Sequence, residues 1–211
     1  MSLEIVAMLL ALVFSVVLHE LSHGLMANYL GDPTAKLAGR LTLNPAKHID
    51  PFGSVILPGF LLLMKAPFLF GWAKPVPYNP HNLQKGGRFA DALVAFAGPL
   101  SNFLLAFLSG VLLALLKDFG FVALFLAQMV VVNIVLGVFN MLPIPPLDGS
   151  KIFPAFLPIS ARIAVERAFY QFESNPFLGL FLVFGVVYLF GDELFTFIHL
   201  ILNFFLNFLV S

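Results

Sequence analysis

Long apolar runs separated by short polar segments make up most of the chain. A helix that crosses the hydrocarbon core of a bilayer needs about 20 mostly apolar residues. Runs of that kind cover 3–30, 89–116 and 121–142. Two shorter runs, 176–190 and 194–210, read as a helical hairpin joined by Gly191 and Asp192. Together they predict five full spans. A further apolar stretch, 51–72, carries Pro58 and Gly59 at its middle, then Lys65 and Pro67. Between the runs lie polar segments, and in the first of them "GRLTLNP" alternates like a strand, which predicts a short β element near 39–45. The expected fold class is an all-α polytopic membrane protein. It reads as one domain, with a core over about 1–155 and the hairpin over about 176–210.

Composition agrees. Of 211 residues, 60% are hydrophobic and 10% charged, against about 25% charged in soluble domains. Such a chain cannot cover itself with polar surface, so the lipid bilayer is its solvent. Lys plus Arg and Asp plus Glu each number 11, so no basic excess points to nucleic acid. There is no cysteine, which excludes disulfides and thiolate metal sites. The opening "MSLEIVAMLLALVF" lacks the basic region and cleavage site of a signal peptide, so it is expected to stay as a helix.

Charge orients the spans. Lys36, Arg40 and Lys47 lie in one loop, Lys74, Lys85 and Arg88 in the next, and Lys151, Arg162 and Arg167 in a third. All three loops favour the cytoplasm. The first two cannot share a side if 51–72 crosses fully. A re-entrant segment that dips in and returns satisfies both, with its irregular backbone sheltered by protein. An ordinary Pro-kinked span is the alternative.

The apolar run at the N-terminus contains His19-Glu20-Leu21-Ser22-His23. Residues four apart share one helix face, so both imidazoles can hold one ion. This is the HExxH arrangement of zinc hydrolases, with the glutamate beside the pair as general base. Ionisable groups inside a membrane segment are costly and point to function. Catalytic zinc takes three protein ligands. The metzincin extension fails, because Met26 and Tyr29 occupy its glycine and third-histidine positions. Asp91 and Asp148 remain as candidates near membrane depth, and Asp148 is preferred because Pro143, Pro145 and Pro146 open the backbone just before it. All ligands of one ion must share a depth, so an even number of crossings separates His23 from Asp148. Two spans lie between them only if 51–72 is re-entrant. The site then faces the cytoplasm, with the N-terminus outside and the C-terminus inside.

"HELSH" on the first helix and "FNMLPIPPLDG" late in the chain together resemble the site-2 protease family of intramembrane zinc metalloproteases. "AGPLSNF", "GRLTLNPAKHIDPFG" and "GWAKPVPYNP" resemble its short prokaryotic branch, without PDZ or CBS domains. The resemblance spans about residues 15–155. It implies one Zn2+ held by His19, His23 and Asp148, with Glu20 as general base and Asn140 positioning the substrate backbone or its oxyanion. It also implies a transmembrane-helix protein as substrate and a multi-pass location, in a prokaryotic cell membrane. Gly98-Pro99 with Asn102 reads as close helix packing, His48 and His81 as surface or local hydrogen-bonding residues, and Trp72 and Tyr78 as interfacial anchors. Two other classes compete: a membrane metal-ion transporter, and a metal-stabilised scaffold. Internal repeats, common in transporters, are not visible here, and neither class gives Glu20 an evident role.

Overall fold

The computed structural model describes residues 3–64 and 71–210. Eight α-helices follow one another among the described residues: α1 (Leu3–Leu30), α2 (Thr34–Leu37), α3 (Leu57–Leu63), α4 (Ala90–Leu115), α5 (Gly120–Asn140), α6 (Gly149–Ile152), α7 (Ile159–Glu173) and α8 (Pro176–Val210). Among the described residues, four helices are long and apolar enough to cross a membrane: α1, α4, α5 and α8. At 1.5 Å per residue, the 21 residues of α5 reach about 31 Å, close to the thickness of a hydrocarbon core.

Helices α1, α4 and α5 pack against one another as the centre of the molecule. Small side chains allow this. Ala7, Ala11 and Ser15 form a fully buried row on α1, and Gly98, Asn102, Ala106 and Gly110 form another on α4. Rows of small residues four apart let helix backbones approach closely where no water drives association. On α5, a Cβ at Gly137 would sit 2.8 Å from the Phe103 ring, so α4 inserts a phenyl where α5 has no side chain.

Two expectations need correction. The stretch 176–210 is not a hairpin. Gly191 and Asp192 lie within α8, whose only departure from helical dihedrals is a kink at Phe190 (φ −126°, ψ 18°). After the kink, Ile198, Leu194, Ile201 and Leu202 pack on Ala106, Val130, Ile134 and Val138 of α4 and α5. The β element near 39–45 is also missing, and there is no strand among the described residues. Alternation alone needs a partner strand to become a ladder. Here the Arg40 guanidinium turns inward to donate to the Lys74 carbonyl (2.7 Å), and Pro45–Lys47 close into a 3-10 turn capped by Asn44.

Part of the stretch 51–72 lies outside the described residues, since 65–70 are not among them. Its two described ends meet. Pro51–Ile56 form a π-helical turn capped by Asp50, continuous with α3. Trp72 N–H donates to the Gly53 carbonyl (3.2 Å), Ser54 Oγ donates to the Trp72 carbonyl (2.8 Å), and Lys74 N–H donates to the His48 carbonyl (2.9 Å). Gly53 permits this closeness, because a Cβ there would lie 2.4 Å from the Trp72 indole.

The loops at the end of the bundle where α1 finishes are tied by polar side chains. Helix α1 ends at Leu30, whose carbonyl accepts from Gln84 and Lys85 N–H (2.9 and 3.1 Å), so a helix terminus that would lack partners is satisfied. Fully buried Asp32 accepts from Asn79 N–H (2.7 Å), Asn82 Nδ2 (2.9 Å) and Thr34. Burial alone would raise its carboxyl pKa, but the hydrogen bonds from Thr34, Asn82 and Asn79 outweigh burial and hold it below the usual value. It therefore stays ionised and joins the turn after α1 to the segment before α4.

Candidate metal centre

His19 and His23 sit one turn apart on α1, as their spacing requires. Asp148 reaches them from the turn that follows α5. The loop 141–148 doubles back tightly there. A Cβ at Gly149 would lie 2.3 Å from the carbonyl oxygens of Met141 and Leu142, so only glycine lets the chain fold against the end of α5 and aim Asp148 inward. Three atoms converge: His19 Nε2 and His23 Nε2 are 3.0 Å apart, and Asp148 Oδ2 lies 3.2 and 3.4 Å from them. Bonds of 2.0–2.1 Å to a tetrahedral ion place its ligands about 3.3–3.4 Å apart. The triangle's sides lie at or within about 0.4 Å of that edge length.

The hydrogen bonds around the triangle also fit a cation. His23 Nδ1 donates to the Val94 carbonyl (2.7 Å), and His19 Nδ1 meets Asn102 Oδ1 (2.6 Å). Each Nδ1 faces an acceptor, so each neutral ring carries its hydrogen there and turns a bare Nε2 lone pair to the centre. Asp148 Oδ2 is buried and takes no hydrogen bond. A carboxylate oxygen with no partner but two imidazole nitrogens calls for a positive charge among the three, which a metal ion would supply. The donor set, two imidazoles and a carboxylate without thiolate, suits zinc.

Glu20, next to His19, is held from outside the helix. Its Oε2 accepts from Val76 N–H (2.8 Å), and its other oxygen takes no hydrogen bond among the described residues. Val76 lies between Pro75 and Pro77, which bias Lys74 and Val76 to extended backbone, and the segment 71–79, which forms no helix, passes Glu20 as a strap. Asp91, the other ligand candidate, is engaged elsewhere by the hydroxyl of Tyr78. Burial, then the Asp91 charge, drives the Tyr78 phenol pKa far upward, so it keeps the proton it donates. Asn140 is the last residue of α5, and its Nδ2 donates back to the Leu136 carbonyl (3.0 Å) rather than to the triangle. His81 is exposed; His48 is buried and bonds the Thr42 carbonyl locally (2.9 Å).

Sequence reasoning assigned Gly98 and Asn102 to helix packing. They do pack, and they also touch the site. Asn102 holds His19, and a Cβ at Gly98 would lie 2.4 Å from His23 Nε2 and 2.6 Å from His19 Cε1. Sequence reasoning missed Asn133 and Ser15, which stand behind Asn102. Their visible signal was a polar residue inside an apolar run.

The model of peptidase family M50 matches residues 7–122 and 116–186, most of the chain. The chain belongs to peptidase family M50. It is similar to "Putative zinc metalloprotease YwhC" of Bacillus subtilis, with 39% identity over 84% of this chain and 79% of that protein. It is also similar to "Putative zinc metalloprotease Rip2" of Mycobacterium tuberculosis, with 32% identity over 82% of this chain and 68% of that protein. No solved structure matches it significantly. As an M50 peptidase with four apolar helices of spanning length, the chain is a multi-pass integral membrane zinc metalloprotease.

Proposed function

We propose that the chain cleaves peptide bonds within or near transmembrane helices of membrane-protein substrates, with His19, His23 and Asp148 holding one zinc ion and Glu20 as general base. The observation that carries this reading is the triangle of two imidazole nitrogens and one carboxylate oxygen that has no other partner, with a tethered glutamate beside it. His19, His23 and Asp148 would hold the ion, which when bound would supply Lewis-acid chemistry, polarising a carbonyl and lowering the pKa of water. Glu20 removes the proton from the attacking water and passes it to the departing amine. The Val76 N–H fixes one oxygen of Glu20 and leaves the other free for that proton. Asn140 faces substrate after releasing the Leu136 carbonyl. As an oxyanion donor it contributes about 2.7–4 kcal/mol, against about 0.6 kcal/mol for an interhelical hydrogen bond. A peptide bond in a helix is shielded by its own hydrogen bonds, so a substrate helix unwinds beside the strap before water attacks.

The site faces the cytoplasm in this reading, and 51–72 is re-entrant. Support comes from the hydrogen bonds that join 48–54 to 72–74, which bring both described ends of the segment together. The helical run Pro51–Leu63 is also shorter than the 20 or so residues of a span. Single cysteines at Lys47 and Lys74 are expected to react with a membrane-impermeant thiol reagent from the same side. Labelling from opposite sides would establish a full crossing instead.

The function itself is tested with purified protein and transmembrane peptides. Chelation is expected to stop cleavage, and one equivalent of zinc per chain to restore it. Cleavage that survives complete removal of metal refutes the reading. Zinc binding without cleavage of any peptide would favour the transporter or the scaffold.

A further inference from the structure

We infer that Asn133 and Ser15, remote from the metal, are positioning residues for it: through Asn102 they impose on His19 the tautomer whose Nε2 is free to bind. The inference rests on the zinc reading above and concerns residues on all three central helices.

The logic starts from two backbone carbonyls, which can only accept. Ser15 Oγ donates its single hydrogen to the Ala11 carbonyl (2.7 Å), with the Met129 sulfur as a weak second acceptor at 3.8 Å. Its oxygen is left to accept, and Asn133 Nδ2 donates to it (2.8 Å). The second hydrogen of the same nitrogen goes to the Met129 carbonyl (2.8 Å). The NH2 end of Asn133 is thus fixed, and its Oδ1 must face the other way. Asn102 Nδ2 donates to that oxygen (2.8 Å). Asn102 must then present Oδ1 to His19, and His19 Nδ1, 2.6 Å away, must carry a hydrogen. The ring is left with its lone pair on Nε2.

Reversing any amide in this row would set two oxygens or two N–H groups against each other. Ser15, Asn102 and Asn133 are all 0% exposed, so water cannot relieve the mismatch. A hydrogen-bond direction set by the Met129 carbonyl on α5 therefore decides the chemistry of a ligand on α1. The Nδ1 hydrogen of His23 is fixed outside the row, by the Val94 carbonyl, although the two Nε2 atoms lie 3.0 Å apart. It serves as an internal control.

The test measures zinc affinity by chelator competition for wild type, Asn133→Leu, Asn102→Leu and the double variant. Partners that orient a metal-binding histidine are worth 10–100-fold in affinity. Asn133→Leu is expected to weaken zinc by about that factor. Because Asn133 acts only through Asn102, the double variant is expected to bind no more weakly than Asn102→Leu. Losses that multiply, or an Asn133→Leu protein that binds zinc like wild type, overturn the proposal. A wild type that fails to bind zinc refutes the zinc reading instead. The second readout is the 15N spectrum of histidine-labelled, metal-free protein. At a pH high enough to leave both imidazoles neutral, His19 is expected as the Nδ1–H tautomer in wild type and as a mixture in Asn133→Leu, with His23 keeping its Nδ1 hydrogen in both. An unchanged His19 signal in Asn133→Leu also overturns the proposal. Asn133→Asp guards against misfolding, since a neutral acid there keeps an acceptor towards Asn102 and a donor towards Met129. It is expected to keep the His19 signal and to bind zinc within about threefold of wild type. A loss as large as that of Asn133→Leu would mean that the row only supports packing.

Discussion

Glu20→Gln is expected to leave zinc bound and to lower cleavage of transmembrane peptides by about 10²–10⁴-fold, the usual contribution of a positioned general base. The separation arises from geometry. Glu20 is not one of the three converging ligand atoms, so its charge is not needed to fill the site. Its one bond is accepted from Val76 N–H, and a glutamine oxygen accepts that bond equally well. The strap and the helix therefore stay in place while the proton acceptor disappears. Metal analysis and cleavage rates on the same preparations check this. A Gln variant that cleaves within tenfold of wild type would remove Glu20 from the proton path. One that loses its zinc would make it a fourth ligand.

Gly98→Ala carries the second large effect. Its methyl would be placed 2.4 Å from His23 Nε2, 2.5 Å from His23 Cε1 and 2.6 Å from His19 Cε1. Ordinary contacts between such atoms are about 3.5–4.0 Å, so something must move by about 1 Å. The rings cannot swing aside cheaply, because each is held at Nδ1 by a buried acceptor on α4 itself. Helix α4 cannot retreat cheaply either, since Asn102 and Ala106 are locked against α1, α5 and α8. The expected result is less than about a tenth of the normal zinc content and no measurable cleavage, in a protein that still folds, in keeping with a misplacement of 1 Å costing about 10²-fold or more. Gly185→Ala on α8, where an added Cβ meets nothing within 4 Å, is the matched control and is expected to keep full zinc content. Normal zinc in Gly98→Ala would mean that the helices sit further apart than described.

What could be read in the sequence was local or forced by chemistry. The pairing of His19 with His23 follows from helical spacing alone. Asp148 followed from the need for a third ligand where cysteine is absent, although Asp91 also had to be weighed, and the Tyr78 hydroxyl now accounts for that residue. The β element failed because alternation shows which side chains share a face, not which partner is present; Arg40 and Lys74 replaced a ladder with one side-chain bond. The hairpin failed because Gly191 and Asp192 were given the weight of a turn. The glycine and aspartate do mark an interruption, the kink at Phe190, but the helical segment after it packs on α4 and α5 instead of turning back. The row from Ser15 to Asn133 was beyond reach for a different reason. Its members are isolated polar letters in three separate apolar runs, and nothing in one sequence shows that three helices bring them into register.

The wide separation of the proposed ligands in the chain bears on biogenesis. Both histidines emerge with the first helix, while the carboxylate is synthesised only after α4 and α5, and it reaches them through a turn clamped by Gly149. A nascent chain therefore holds an incomplete ligand set until its central helices have inserted and docked. On the proposed ligand set, a chain whose α4 and α5 have not yet docked cannot complete the site, so at that stage it poses no proteolytic threat to its neighbours in the bilayer.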